Sequence, residues 1–388
     1  MARTISRALV SLMLVVLALT LCLVTTHAGP NTARRMHAVD LGTFEGRVTE
    51  PVAVNDRGQV AGWYVVAYNH LRSFFWDGSE ALVDIGALPG GNWARAYSLN
   101  NRGQIVGMAL PPSGHQHAFL WQEGEMKDLG TLGGLYSAAF AINNRGQVTG
   151  WSYTASGQLH AFLWEDGVMY DLGVPAGATF TYGRAINDRG EIAGESNGPS
   201  GSGAFVWNGA MRELDALPGA TPDGIISINR RGDVIGQCYV AGVVHALAWL
   251  DGVPIDLGTL PGSTMTLLSS QNDKGEIVGF TLDASGQYHA FLWTDGVMRN
   301  LGTLGGTYSS AVAINSHGQI AGTSGTAAGA SNAFLWERGR MIDLAPLPGG
   351  YASGAAAINE RGDVVGKSAI AGQTSHVVLW TRHQPAAR

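Results

Sequence analysis

The sequence has little charge and little cysteine. Charged residues make up 14% of its 388 residues, and the formal net charge is −6. The basic residues are dispersed along the chain, which argues against a surface that follows a phosphate backbone, so we expect no nucleic-acid partner. The two cysteines, Cys22 and Cys238, have no clustered carboxylates beside them. We therefore expect neither a metal site nor a cofactor.

Long apolar stretches are also missing, except at the N-terminus. Residues 8–24 are apolar apart from Ser11 and Thr20, two arginines precede them, and small residues around Ala28 offer a cleavage site. This pattern predicts a signal peptide at residues 1–28, a short linker at 29–36 and a secreted protein, periplasmic or extracellular, with no membrane attachment after cleavage. An uncleaved anchor is the alternative, since 17 residues are at the short limit for a membrane span. Cleavage leaves Cys238 alone, which excludes an intramolecular disulfide.

What the chain does contain is a repeat with a period near 43 residues. Each copy carries an Asn-x-x-Gly phrase, usually Asn-x-Arg-Gly, which suits a tight turn because Asn can bond the turn backbone and Gly can adopt positive φ. The eight leading asparagines are Asn55, Asn100, Asn143, Asn187, Asn229, Asn272, Asn315 and Asn359. A fixed period of this length is typical of a repeat architecture in which each unit packs on its neighbours.

Four short apolar stretches fill each repeat, and we label them a, b, c and d. In the third copy they are residues 139–143, 146–152, 160–164 and 168–173. None has helical periodicity, and their Val, Ile, Phe and Trp content favours strands. Four antiparallel strands in about 43 residues is the size of one β-propeller blade.

The two ends of the repeat region complement each other. The eighth copy ends after strand c at residues 376–380, and residues 37–43 match the strand d phrase of residues 127–131. An N-terminal strand that completes the last blade would remove an open sheet edge. The sequence therefore predicts an all-β, eight-bladed propeller of four-stranded antiparallel blades at residues 37–382, followed by a tail at 383–388. An open β-solenoid is the alternative.

The recurring strings identify a resemblance to a known family. His-Ala-Phe-Leu-Trp occurs at residues 117–121, 160–164 and 289–293, and Leu-Gly-Thr-Leu-Gly-Gly at 129–134 and 301–306. These strings resemble the bacterial extracellular HAF repeat family, over about residues 37–382. The resemblance implies a secreted repeat protein and carries no activity with it.

The recurring histidine faces an acidic residue of the next strand. Strand alternation and hairpin register place the two side chains on one face of the blade. The predicted pairs are His117 with Asp128, His160 with Asp171, and His245 with Asp256. We interpret them as structural, because a buried imidazole needs a hydrogen-bond partner. Metal sharing between blades is disfavoured, since neighbouring copies would lie on the order of 13 Å apart.

Candidate ligand-binding residues lie on one face of the predicted ring. The b–c loops and the d–a connections share this loop face, and the tight a–b and c–d turns share the opposite hairpin face. Aromatic and hydroxyl side chains in the d–a connections suit sugars or peptides, or they plug the channel mouth. They are Trp93, Tyr136, Ser137, Tyr182, Tyr308, Ser309 and Tyr351.

Two classes of function fit these features. The leading expectation is a secreted or surface-exposed binding or scaffold module, monomeric, that recognises a glycan, a peptide or a protein partner on the loop face. The alternative is a secreted hydrolase or lyase with its site at the mouth of the central channel. That reaction would require converging carboxylates, and Glu195, Asp223 and Asp283 form no evident pair in the sequence. The fold alone does not choose between these classes.

Overall fold

The computed structural model describes residues 36–383, apart from residues 69, 80, 200, 241 and 242 and the side chain of Asp223. The predicted signal peptide, residues 29–35 of the linker and residues 384–388 of the tail lie outside this part of the chain. The described residues form 32 strands. They contain no helix that could cross a bilayer.

The strands form eight four-stranded antiparallel sheets, each the blade of a propeller. The first strand, β1 (His37–Gly42), belongs to blade 8. Blade 1 holds β2 (Thr49–Val54), β3 (Val60–Ala67), β4 (His70–Trp76) and β5 (Val83–Asp84); blade 2 holds β6 (Trp93–Leu99), β7 (Ile105–Leu110), β8 (His117–Gln122) and β9 (Glu125–Gly130). Blade 3 holds β10 (Gly133–Ile142), β11 (Val148–Thr154), β12 (Leu159–Glu165) and β13 (Val168–Asp171); blade 4 holds β14 (Phe180–Ile186), β15 (Ile192–Gly198), β16 (Gly201–Trp207) and β17 (Met211–Leu214).

The second half of the ring repeats the same order. Blade 5 holds β18 (Ala220–Ile228), β19 (Val234–Val240), β20 (Val243–Leu250) and β21 (Val253–Asp256); blade 6 holds β22 (Ser263–Gln271), β23 (Ile277–Asp283), β24 (Tyr288–Thr294) and β25 (Val297–Asn300). Blade 7 holds β26 (Gly305–Ile314), β27 (Ile320–Thr326), β28 (Ser331–Glu337) and β29 (Arg340–Leu344); blade 8 holds β30 (Gly350–Ile358), β31 (Val364–Ile370) and β32 (His376–Thr381).

The ring is closed by the N-terminal strand, as the sequence predicts. β1 pairs antiparallel with β32, with Val39 opposite Leu379 and Ala38 opposite Trp380. The innermost strand of each blade contacts the innermost strand of the next, and β30 of blade 8 contacts β2 of blade 1. The eight-bladed propeller is therefore confirmed, and the open solenoid is wrong.

Apolar side chains fill each junction between blades. One buried cluster spans each of the eight junctions, and the tryptophan that ends strand c is part of it. At the junction of blades 1 and 2, Trp121 packs with Ile85, Leu88 and Phe119 against Phe75. These tryptophans therefore pack between the blades.

Close packing within a blade explains why strand b contains a glycine. A Cβ atom on Gly150 would lie 1.9 Å from the carbonyl oxygen of Ala138 on strand a. The equivalent atom on Gly62 would lie 2.5 Å from the ring of Phe74 on strand c. Only glycine lets strand a and the phenylalanine of strand c approach strand b this closely.

The asparagine of each Asn-x-x-Gly phrase links its own turn to the next blade. The Oδ1 atom of Asn315 accepts hydrogen bonds from the backbone N–H groups of His317 and Gln319, at 3.1 and 3.0 Å. Its Nδ2 group donates to Oε1 of Gln319 at 2.8 Å and to the carbonyl oxygen of Asn359 in blade 8 at 2.9 Å. The side chain is buried and fully bonded, so it satisfies the turn and the junction together.

This donation to the next asparagine is made by all eight copies. The donor–acceptor distances lie between 2.8 and 3.2 Å, and the chain of bonds ends where Asn359 donates to the carbonyl oxygen of Asn55 in blade 1. The result is a circular hydrogen-bond network, which we call the asparagine ring. The sequence predicted the role of Asn in the turn but not this contact between blades.

The asparagine ring predicts a large cost for Asn315→Asp. The carboxylate loses both donors and faces two oxygen acceptors in a buried position, so the free energy of unfolding should fall by about 1–3 kcal/mol. Chemical denaturation measures this difference. The matched control is Ser316→Asn, because Asn101 and Asn144 occupy the equivalent position in other blades. A control variant that loses as much stability as Asn315→Asp would contradict the special role of the ring.

Closure by β1 predicts a cross-link between Val39→Cys and Leu379→Cys, with Cys22 and Cys238 replaced by alanine. These positions are directly opposite in the strand pair, so the disulfide should form within a monomer under mild oxidation. Its formation is measured by the mobility shift of the monomer band on a non-reducing gel. Val39→Cys combined with Val253→Cys, on the outer strand of blade 5, should give no such shift. Equal cross-linking of both pairs would refute this closure.

Candidate functional site

The five aromatic candidates lie on or near the loop face but do not form one cluster. Tyr136 contacts the His115 ring edge-on, with ring centres 4.9 Å apart. Tyr182 lies under the guanidinium of Arg184, and Trp93 begins β6 at the junction of blades 1 and 2. The others sit on blades 7 and 8, where Tyr308 is half-buried and Tyr351 is 64% exposed. The structure therefore brings no single ring of aromatic side chains together.

The two serine candidates are wrong, because both side chains are 0% exposed. The Ser137 hydroxyl donates to the Gly130 carbonyl at 2.6 Å and accepts the Ala118 N–H at 2.9 Å, both in blade 2. Ser309 makes the same two bonds to Gly302 and Ala290 of blade 6. These hydroxyls join neighbouring blades and cannot contact a ligand.

The three His–Asp pairs form as the sequence predicts. Nδ1 of His117 lies 2.8 Å from Oδ2 of Asp128. The pairs His160 with Asp171 and His245 with Asp256 have the same 2.8 Å contact. Each aspartate also accepts the backbone N–H of the glycine two residues later, so the pair fixes the turn that leaves strand d.

In other blades, different residues make the contact between strands c and d, or the histidine bonds a different aspartate. His376 pairs with Asp40 across the closing strands at 3.0 Å, and Asn332 replaces histidine in a 2.9 Å bond to Asp343. His289 instead bonds Asp283 at 2.8 Å, and this bond holds the pKa of the Asp283 carboxyl well below its usual range. No group of three or more His, Cys, Asp or Glu side chains in the described part of the chain could hold a metal ion.

The inner wall of the ring carries the residues that the sequence reasoning missed. The innermost strand of every blade has a β-bulge at the same place, where an extra residue interrupts the pairing with strand b. Because this strand borders the axis, the half-buried bulge side chains lie along the central channel. They are Val52, Tyr97, Phe140, Arg184, Ile226, Ser269, Val312 and Ala356.

Large and charged bulge residues are confined to blades 2, 3 and 4. The rings of Tyr97 and Phe140 meet edge-on with centres 5.7 Å apart, and the guanidinium of Arg184 lies 5.1 Å from the Phe140 ring centre. Arg184 forms a two-point pair with Glu195, at 3.1 Å for Nε and 2.9 Å for Nη2. Glu195 also accepts the Ile225 N–H of blade 5 at 2.9 Å. We call these four side chains (Tyr97, Phe140, Arg184 and Glu195) the channel cluster.

Tyr97 keeps its proton in this setting. Burial raises the pKa of its phenol, and the neighbouring Arg95 opposes the rise only in part. The phenol therefore remains a hydrogen-bond donor at neutral pH.

A groove of about 590 Å³ opens beside the channel cluster on the loop face. It lies between blades 1 and 2, and its walls include Trp63, Tyr68, Leu71, Trp93, Arg95 and Leu110. We call it the blade 1–2 groove. Of the predicted candidates it contains only Trp93.

The hairpin face has a different chemistry. Two basic residues of the a–b turns bond an acidic residue of their own turn. Arg189 bonds Glu191, and Arg231 bonds Asp233, both two residues further along the same turn. The residues that follow the asparagines also bond across most of the blade junctions, and the Glu360 N–H donates to Asp56 between blades 8 and 1. Polar groups here bond one another and stabilise the ring.

A signal for the missed residues exists in the sequence. Positions that build the fold carry similar residues in every copy, whereas the bulge position ranges from Ala356 to Arg184. Among the eight copies, Arg184 is the only charged residue at the bulge position, and this departure from the repeat is visible in the sequence.

Comparison with known proteins identifies the fold. No protein-family model matches the sequence, and no curated protein matches it. Among solved structures, dipeptidyl peptidase 4 of Porphyromonas gingivalis is 8% identical, with 84% of this chain and 56% of that chain covered and a TM-score of 0.54. A puromycin-hydrolysing peptidase of Mycobacterium tuberculosis is 12% identical, with 83% and 57% covered and a TM-score of 0.51. The acylaminoacyl peptidase of Pyrococcus horikoshii is 12% identical, with 80% and 55% covered and a TM-score of 0.50.

These comparisons correct the leading expectation of a binding or scaffold module. The similar structures are named as peptidases, so they favour the alternative, a hydrolase. At these identities the likeness shows the fold alone. The chain spans little more than half the length of the peptidases, so any activity is a proposal.

The His–Asp geometry predicts that His117→Asn is tolerated and His117→Leu is not. Asparagine can make the bond that Asn332 makes to Asp343, whereas leucine leaves Asp128 without its partner and should cost about 1 kcal/mol because the pair is partly exposed. Denaturation curves of the two variants measure the difference. Stoichiometric zinc in the purified protein that is lost in His117→Leu would show that the histidine is a ligand instead.

Proposed function

We propose that this chain hydrolyses peptides at the loop-face mouth of its central channel. The observation that carries the proposal is the channel cluster, in which the Arg184–Glu195 ion pair and the protonated phenol of Tyr97 lie on either side of Phe140. The bulge residues of the other five blades are small or aliphatic. The propeller fold shared with peptidases supports the same reaction class.

The channel cluster provides groups for water attack on a peptide carbonyl. In the proposal, the Glu195 carboxylate takes a proton from water as the water oxygen bonds to the carbonyl carbon. Arg184 and the Tyr97 phenol stabilise the oxyanion that forms. The C–N bond then breaks, and the proton held by Glu195 passes to the departing amine.

The arrangement of Glu195 is suited to this role in one further respect. Its oxygens are held by Arg184 and by the backbone of the next blade, so the carboxylate keeps a fixed direction before substrate enters. Membership of the HAF repeat family and secretion through residues 1–28 are part of the same proposal and place the hydrolase outside the cytoplasm.

The test is Glu195→Gln in the full chain. Wild-type protein is incubated with a mixed peptide library at several pH values, and new termini are identified by mass spectrometry. Because glutamine cannot take the proton, kcat on the best peptide should fall at least about 100-fold.

Glu191→Gln is the matched control. It also removes the charge of a glutamate that pairs with an arginine, here Arg189, but this pair lies in the a–b turn on the hairpin face. It should cleave like the wild type. Absence of cleavage by the folded wild-type protein, or equal cleavage by Glu195→Gln, would refute the proposal.

A further inference from the structure

The blade 1–2 groove combines aromatic walls with a single kind of charge. Trp63, Trp93 and Tyr68 supply ring surface, and Arg95 is the only charged residue among the described residues that line it. We propose that this groove binds the free C-terminal carboxylate of a peptide through Arg95. The inference rests on the proposed function and names its substrate class, peptides that enter with their C-terminus first.

The repeat provides an internal comparison for Arg95. Lys367 on strand b of blade 8 faces Glu50 on strand a of blade 1, and their 2.7 Å ion pair neutralises both charges. At the junction of blades 1 and 2, Trp63 occupies the strand b position of Lys367, and Arg95 occupies the strand a position of Glu50. The correspondence follows from the strand pairing, since Glu50 lies opposite Trp63 in blade 1 and Arg95 lies opposite Met108 in blade 2. Here the guanidinium faces an indole, and it forms no ion pair with an acidic side chain among the described residues.

The immediate surroundings of Arg95 leave its charge uncompensated. The guanidinium carbon lies 5.2 Å from the Trp63 ring centre and 5.3 Å from that of Tyr97. Its Nε atom is buried and has no hydrogen-bond partner within the described structure. Two neutral rings hold the side chain in place, and one of them, Tyr97, also hydrogen-bonds to the guanidinium through its phenol oxygen. None of these groups neutralises the positive charge, which favours an anionic ligand.

The position of Arg95 in the groove favours a chain terminus. Trp93 and Arg95 are separated by the buried Ala94, so both project to the same side of β6. Trp93 is nearer the loop face, Arg95 is two residues further in, and Tyr97 no longer lines the groove. A ligand that enters from the loop face therefore passes the aromatic walls and meets the guanidinium at the inner end.

Carboxylate is the ligand chemistry that best matches this end of the groove. A guanidinium can donate two parallel hydrogen bonds to a carboxylate. The aromatic and aliphatic walls suit the apolar side chains of the last residues of the peptide. The volume of about 590 Å³ holds a short segment and not a folded domain.

Binding of three labelled tetrapeptides to the full chain tests the inference. Fluorescein-Gly-Ala-Ala-Phe is used as the free acid, as the C-terminal amide, and as an amide in which glutamate replaces the second alanine. Fluorescence anisotropy is measured with the Glu195→Gln protein, so that no probe is cleaved. The free acid should bind at least about tenfold more tightly than either amide.

Arg95→Gln should remove this preference, and Arg95→Lys should keep part of it. Arg145→Gln, on the hairpin face, should leave it unchanged, and thermal melting confirms that each variant is folded. Equal binding of the acid and its amide, stronger binding of the glutamate peptide, or an unchanged preference in Arg95→Gln would overturn the inference.

The outcomes separate this inference from the proposed hydrolysis. Preference for the free acid in a protein that cleaves no peptide would leave the Arg95 site standing and refute hydrolysis. Cleavage of peptides without a preference for the free acid would support hydrolysis and refute the Arg95 site.

Discussion

The asparagine ring is the contact on which the closed architecture depends. A hydrophobic junction can hold two blades at a range of angles, because apolar packing is not directional. The bond from each asparagine Nδ2 to the next asparagine carbonyl is directional, and the same side chain fixes its own turn. Turn geometry and the position of the neighbouring blade are thereby coupled. The last bond, from Asn359 to Asn55, forms only when all the earlier junctions place the ends together, as they do here.

Most of the fold follows from the sequence because its determinants repeat. The Asn-x-x-Gly phrase, the tryptophan that ends strand c and the unmatched strand at residues 37–43 are local patterns, and each predicts the correct element. The bulge in strand a does not have a local signature. It arises where the glycine of strand b, such as Gly150, admits the backbone of strand a at close range, which is a contact between elements and not a property of either one.

The candidate site was predicted less well, for a related physical reason. Ser137 and Ser309 are candidates in the sequence because hydroxyls beside aromatic rings suit a sugar or peptide ligand. In the structure, both hydroxyls instead bond a glycine carbonyl of the preceding blade. A ligand breaks the symmetry of a ring, so the residues that meet it need not repeat. Arg95, Arg184 and Glu195 lie inside strands and not in loops, and they differ from their counterparts in the other blades.

The separation of the two faces explains how such residues are tolerated. Stability comes from the blade junctions and from the polar networks of the hairpin face, where Arg231 and Asp233 bond within one turn. The inner wall near the loop face takes no part in these networks, so its side chains can change without opening the ring. A charged side chain on this wall either pairs with an opposite charge or keeps its hydrogen-bonding groups for a ligand. Arg184 has Glu195 as its partner, whereas Arg95 packs on the rings of Trp63 and Tyr97 and has no ion-pair partner among the described residues. This difference within one wall is the reason that the proposed carboxylate site is placed at Arg95.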